Sequence, residues 1–539
     1  MSNNKKKFDF SLLIKVIRLA TPYKFTLYAT AILAVVMAPV SSLRPYLINK
    51  IVDEHIFNHD INGLSLMVMI LVGLLFIEAL FEYAFVYATG WLGQVVIRDL
   101  RNKVLQHITN LRLQYFDTTP IGTSTTRTIS DIETINTVFS EGIITIVADI
   151  LTLVVVLFMM FYTSWKLTLV CLTVLPILLI ASYVFKEKVK NAFEIVRTQV
   201  AKMNAYLQEQ ITGMAVVQVF NAEKQELEKF KAINRKQTQA NLDSILAYAI
   251  FFPVVEIISA AALGLMVWYG AGSVIKGELT LGVLIAFPIY INMLFRPIRM
   301  LADKFNSLQM GLVAANRVFE LIESDDQKQL SGKLPVTKLK GDVAFKDVSF
   351  AYADDNYVIR NLNFTISPSK TLAIVGSTGS GKTTITNLLS RFYEIQKGEI
   401  LIDGVNIKEY DVEQLRKRIA VVLQDVFLFS GSVLENITLR NPSITKDAVV
   451  AAAKMIGAHD FIMQLPNDYN FEVMERGATL SMGQRQLISF VRALVFNSDI
   501  LILDEATSSI DPESETTIQF AIEKLIEKRT SIIIAHRLT

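Results

Sequence analysis

Thr371-Leu372-Ala373-Ile374-Val375 runs without a break into Gly376-Ser377-Thr378-Gly379-Ser380-Gly381-Lys382-Thr383-Thr384, and residues 385–391 continue with a helical pattern. The apolar run reads as a buried strand, and the glycine-rich stretch after it has the P-loop pattern in the strand–loop–helix context that this pattern requires. Glycines let the backbone wrap closely around phosphate oxygens. The following helix aims free N–H groups and the positive end of its dipole at them. Residues 376–384 are therefore the expected nucleotide-binding set, with Lys382 neutralising the β- and γ-phosphates and Thr383 giving its hydroxyl to Mg²⁺.

A second apolar run, Ile500-Leu501-Ile502-Leu503, ends in Asp504-Glu505. Open α/β sheets bind ligands beyond the carboxyl ends of their strands, so Asp504 is placed to hold Mg²⁺ through water. Glu505, one residue on, is the expected general base that polarises the attacking water. Such a strand is common by itself and gains meaning beside the P-loop.

Outward from these two motifs the chain changes character. Its 539 residues exceed one hydrophobic core, and 52% of them are hydrophobic against 19% charged, with a mean hydropathy of +0.39. A large part must lie in lipid. The net charge of +2 gives no global field that would attract nucleic acid. The single cysteine, Cys171, sits in an apolar run as a core or lipid-facing residue.

Stretches of about 20 apolar residues, enough to cross a bilayer, recur near 25–47, 65–93, 142–163, 166–186, 246–270 and 280–302. Residues 8–19 read as a short amphipathic helix on the membrane surface rather than a signal peptide. Lys24, Arg98, Arg101, Lys103, Lys186, Lys188, Lys224 and Lys229 mark one side of the membrane, whereas Asp53, Glu54 and Asp60 follow the first crossing. That asymmetry makes the long connections cytoplasmic. They keep helical periodicity, so they read as membrane helices running on into the cytosol and folding back at turns near Gly122 and Gly213. Beyond Glu323 the apolar runs become short and β-rich, at 343–345, 371–375, 400–402, 419–423, 500–503 and 531–535, with helical segments between several of them. This is the pattern of a parallel sheet flanked by helices. The expected organisation is a cytoplasmic terminus with an elbow helix over 1–24, a membrane domain of six helices over 25–322, a linker over 323–340 and a nucleotide-binding domain over 341–539.

Within the crossings, Glu78 and Glu82 lie on one helix face, and Asp149 and Glu256 stand in the third and fifth spans. Intramembrane acids are costly. They attract cationic amphiphiles in a central cavity, or they pair with bases such as Arg44 or Arg296, or they stand near the outer interface. Phe158, Met159, Met160, Phe161 and Met293 could line a greasy pocket.

Leu480-Ser481-Met482-Gly483-Gln484-Arg485-Gln486, shortly before the Asp504 strand, resembles the signature motif of ATP-binding cassette (ABC) proteins. Around it, Tyr352 looks like the aromatic residue that stacks on adenine, and Gln424 like the glutamine of the loop that senses the γ-phosphate and the membrane domain, with a place on the metal. Ser509-Ile510-Asp511 resembles the D-loop and His536 the switch histidine. Glu475-Arg476-Gly477 is similar to a segment of exporter-type cassettes. The six crossings and the segments 115–122 and 209–220 look like bacterial half-transporters, which include multidrug exporters and the lipid A flippase. The fold so implied is an all-α six-helix transmembrane domain followed by an α/β P-loop ATPase domain.

The resemblance implies ATP and Mg²⁺ as cofactors and a second half-transporter chain as partner, a homodimer being the simplest case. Ser481, Gly483 and Gln484 of one chain, with Asp511, would meet the ATP held by the other. Glu505, His536 and Gln424 would carry hydrolysis. It further implies export or flipping of a hydrophobic or amphipathic substrate across the inner membrane, with the nucleotide-binding domain in the cytoplasm. A siderophore-type importer of the same fold and a membrane-anchored regulatory ATPase are the alternatives. Two departures stand out: Met482 replaces the first glycine of the signature, and the chain stops at Thr539 where such cassettes continue, so its C-terminal end reads as missing.

Overall fold

The computed structural model describes residues 10–324, 330–353, 356–377, 379–504 and 512–535. They fall into two compact units: the residues before Ile108 together with Gly122–Glu323, and Ile108–Ile121 together with the residues after Glu323.

The first unit holds six helices long and apolar enough to cross a membrane, in the runs Thr21–Ile56, Ile61–Thr109, Ile121–Thr163, Trp165–Thr212, Glu223–Ile275 and Leu281–Ile298. Two are single helices of 49 residues, Ile61–Thr109, and 53 residues, Glu223–Ile275. At 1.5 Å per residue these are about 74 and 80 Å long, more than twice the ~30 Å hydrocarbon thickness, so a large part of each must project beyond it. The helix Ile143–Thr163 ends at Ser164, whose hydroxyl accepts from the Leu167 amide and caps the next helix, Trp165–Leu172. The helix Phe10–Arg18 is amphipathic: Leu13 and Val16 are buried, while Phe10 and Ile14 point outward. Lys15 pairs with Glu323 and lies 4.6 Å over the Phe319 ring.

The membrane acids divide. Glu78 lies 3.7 Å from Arg44. Asp149 pairs with Lys304, because the sixth helix continues through Ile322 and carries Lys304 alongside the third. Glu82 and Glu256 are exposed on the single chain. The apolar set expected to line one pocket also separates, since Met160 is buried in the bundle core whereas Phe158 and Phe161 face outward.

The second unit contains ten strands: β1 Val343–Ala351, β2 Tyr357–Ile366, β3 Thr371–Val375, β4 Lys397–Ile402, β5 Val405–Asn406, β6 Ile419–Val422, β7 Gly431–Ser432, β8 Glu472–Val473, β9 Ile500–Asp504 and β10 Thr530–Ala535. The expected parallel sheet is present, but it does not include every strand. A parallel sheet has the order β3-β10-β9-β6, and a separate sheet has the order β2-β1-β4-β5, with β7 and β8 as a small pair. The burial patterns give the reason. β9 is buried at all five positions, as a strand covered on both faces must be. β1 instead pairs antiparallel with β2 and β4, and β2 alternates between covered and open positions for part of its length. Both sheets contribute to one apolar core through Val343, Phe345, Ile400, Ile500 and Ile532.

Ile108–Ile121 includes the short helix Leu113–Thr118, and Leu113 packs against that same core. The other turn, with the helix Met214–Val219, stays in the first unit and leaves Val216, Val219 and Phe220 at 60%, 74% and 75% exposed.

Candidate nucleotide site

Strand register brings the expected residues to one edge. Val375 of β3 pairs with Ala535 of β10, Ile534 with Asp504 of β9, and Leu503 with Val422 of β6. The loop after β3, the carboxylate ending β9 and exposed Gln424, two residues past β6, therefore emerge from the carboxyl ends of neighbouring parallel strands. Thr378, Glu505, Asp511 and His536 lie outside the described residues.

The P-loop takes its shape from its glycines. Gly379 and Gly381 have φ of +84° and +89°. A Cβ on Gly381 would come 3.3 Å from Val358 Cγ1 of β2, a strand that passes against the loop. Ser377 and Ser380 complete the loop, with the Ser380 amide donating to the Ser377 carbonyl at 3.2 Å. Lys382 opens the helix Lys382–Leu389 and is only 6% exposed. Its ammonium donates to the carbonyls of Gly376 at 2.8 Å and Ser377 at 3.1 Å. A buried cation held by neutral carbonyls is costly unless an anion joins it, which is what phosphate oxygens would do.

Thr383 Oγ1 donates to Asp504 Oδ2 at 3.1 Å, and Asp504 is 6% exposed. Among the described residues no group of three or more His, Cys, Asp or Glu could hold a metal ion. A metal at this point would take the Thr383 hydroxyl and the Asp504 carboxylate, leaving the rest of its shell to phosphate, water and a further neutral oxygen. That hard-oxygen, substrate-shared donor set fits Mg²⁺.

Tyr352, 41% exposed, donates its hydroxyl to Thr384 Oγ1 at 3.1 Å. Ser481 caps the helix Met482–Val495: its hydroxyl accepts from the Gln484 amide at 3.2 Å while Gln484 Oε1 accepts from the Ser481 amide at 3.0 Å. The Gln484 side chain is thus turned back on its own helix start. Gly483 is buried, and Met482 at the first helical position is 41% exposed, where its bulk meets little.

Some supporting residues had no readable signal. Arg391 is 3% exposed and donates to Glu394 at 3.0 Å and to the carbonyls of Ile407 and Tyr410. Arg416 donates to the carbonyls of Ser390 at 3.1 Å and Arg391 at 2.8 Å, and so holds the far end of the P-loop helix. Burial, and then the nearby Arg391 cation, lower its pKa. Lone arginines in a sequence do not announce such roles. Only their convergence on one helix end does.

A six-span membrane unit joined to a P-loop unit defines a nucleotide-driven membrane protein. Comparison with known proteins makes this specific: residues 27–298 match the family model for the ABC transporter transmembrane region, and residues 359–508 match the ABC transporter model. The chain is 35% identical to the "Uncharacterized ABC transporter ATP-binding protein YknV" of Bacillus subtilis, over 99% of this chain and 89% of that protein. It is 35% identical to the "Probable multidrug resistance ABC transporter ATP-binding/permease protein YheH" of the same organism, over 92% of this chain and 74% of that protein. It is also 34% identical to the "ATP-dependent lipid A-core flippase" of Desulfotalea psychrophila, over 96% and 91%. The chain belongs to the ABC transporter family and is a multi-pass membrane protein.

Proposed function

We propose that two copies of this chain form an exporter that moves a hydrophobic or amphipathic substrate, a drug or a lipid, across the bacterial inner membrane at the expense of ATP. The observation that carries the ATP part is the buried Lys382 ammonium, bonded among the described residues to loop carbonyls alone, beside the Thr383–Asp504 contact. The names of the multidrug and lipid A-core flippase relatives support the export of such substrates.

In this reading the adenine rests on Tyr352, and the loop amides from Gly376 to Thr384 with Lys382 grip the phosphates. Thr383 and Asp504 would hold Mg²⁺, and Gln424 would be its third protein contact. The ion supplies charge neutralisation on the β- and γ-phosphates when bound. Glu505 takes a proton from the water that attacks the γ-phosphorus as the bond to the β-phosphate oxygen breaks and ADP leaves. His536 steadies the γ-phosphate. Ser481 and Gly483 at the start of the signature helix, with Asp511, face the ATP of the second chain, because a helix N-terminus is an anion site that its own chain does not fill. Two features favour the pairing: Ser481 is exposed on the single chain, and so is the apolar turn Val216–Val219–Phe220, which the second nucleotide-binding unit, in the cytoplasm, would cover.

The test is Glu505→Gln in proteoliposomes. The expected result is ATP-dependent trapping of a closed dimer with loss of both phosphate release and substrate export. Turnover at the wild-type rate would overturn the assignment of the base.

A further inference from the structure

Tyr352 is constrained by residues that do not belong to the phosphate loop. The Gln396 side-chain amide donates to the Ala351 carbonyl at 2.8 Å and accepts from the Ala351 amide at 3.0 Å. Pairing between β1 and β4 ends at Ser349 and Lys397, so the Gln396 side chain takes the place of a strand partner for the residue just before Tyr352. The Tyr352 ring stands perpendicular to Phe350, 4.8 Å away at 83°, and to Tyr393, 5.0 Å away at 88°. Phe350 and Tyr393 are 2% and 8% exposed and pack on each other at 5.7 Å. The Tyr352 hydroxyl meets Thr384 on the first turn of the P-loop helix. Backbone, ring and hydroxyl are each fixed, yet part of the ring remains open.

We propose that Tyr393 and Gln396 are positioning residues for nucleotide selection: they hold Tyr352 as a preformed platform for the base, while Thr384 ties that platform to the phosphate grip. The inference rests on reading Tyr352 as the base-stacking residue. The physical gain is that the ring loses no rotational freedom when the nucleotide arrives, so more of the stacking energy appears as affinity. Perpendicular aromatic packing and a bidentate amide clamp are strong enough to set a rotamer.

The experiment measures affinities for ATP and for inorganic tripolyphosphate, which has the phosphates without the base, on the full chain in lipid nanodiscs. Wild type is compared with Tyr393→Leu, Gln396→Glu and Tyr393→Phe. Tyr393→Leu and Gln396→Glu should weaken ATP binding about tenfold, leaving tripolyphosphate binding and the kcat at saturating ATP unchanged. Tyr393→Phe, which keeps the ring, should behave as wild type. Unchanged tripolyphosphate binding also reports that the site is folded. An ATP preference that is present in wild type but undiminished in both variants, or an equal loss for both ligands, overturns the proposal. No preference for ATP in wild type overturns the platform reading of Tyr352, and the proposal with it.

Discussion

Thr383 and Asp504 are 121 residues apart in the chain, and their side chains meet at 3.1 Å. One ends its strand and the other follows the P-loop lysine on the adjoining helix, so the parallel sheet delivers a hydroxyl and a carboxylate to the same point. If that pair holds Mg²⁺, Asp504→Asn should lower ATP hydrolysis about 10²- to 10³-fold, the usual loss when a group aimed at transition-state charge is removed. Chelating Mg²⁺ in the wild-type protein should lower it similarly. Phosphate release measured with and without EDTA checks both.

Lys382 is buried, and among the described residues no carboxylate pairs with it. Lys382→Met should therefore keep or raise the melting temperature of the nucleotide-free protein, since replacing a desolvated charge by an apolar chain of similar length is often stabilising. It should also abolish the stabilisation by ATP, which at about 100 times Kd is worth about 2.7 kcal/mol. Thermal melts with and without ATP test the two signs together.

Gly381→Ala adds a methyl 3.3 Å from Val358 Cγ1 at a φ of +89°. A non-glycine residue in that region costs about 1–3 kcal/mol, so ATP affinity should fall about tenfold or more. Equilibrium binding of ATP to the purified variant measures this, and affinity equal to wild type would show that the loop relaxes freely.

Breaking the Lys304–Asp149 pair on one side leaves a charge inside the helix bundle. Lys304→Met should destabilise the membrane unit by about 1–3 kcal/mol after allowance for the partial exposure of both groups. The double variant Lys304→Met/Asp149→Leu should recover most of that loss. Melting in detergent compares the two, and a double variant no better than the single would argue against the pair.

At the signature helix two neighbouring residues should behave oppositely. Ser481→Ala removes a cap worth about 1 kcal/mol together with the group proposed to face the second chain's ATP, so hydrolysis should fall sharply. Met482→Gly, at an exposed first-turn position, should leave hydrolysis within about twofold. Steady-state phosphate release separates them.

The P-loop is legible because everything it needs is contiguous: a strand, a run of glycines, a lysine and a helix in about twenty residues. The spans are legible for a similar reason, since the bilayer imposes a length on each apolar run. Leu113 joining the core of the second unit is not, because an apolar residue on a polar turn does not say what it packs against.

Sequence alone therefore determined the features written within one element: six apolar spans, the phosphate loop and the acid-ended strand. Tertiary structure decided the features that join elements. β1 and β4 joined an antiparallel sheet beside the parallel one, Asp149 took Lys304 as its partner, and Tyr352 found its seat among Phe350, Tyr393 and Gln396. The reason is that local periodicity states which face of an element is apolar, whereas register and partner depend on which faces can be buried together. Only the folded chain sets that choice.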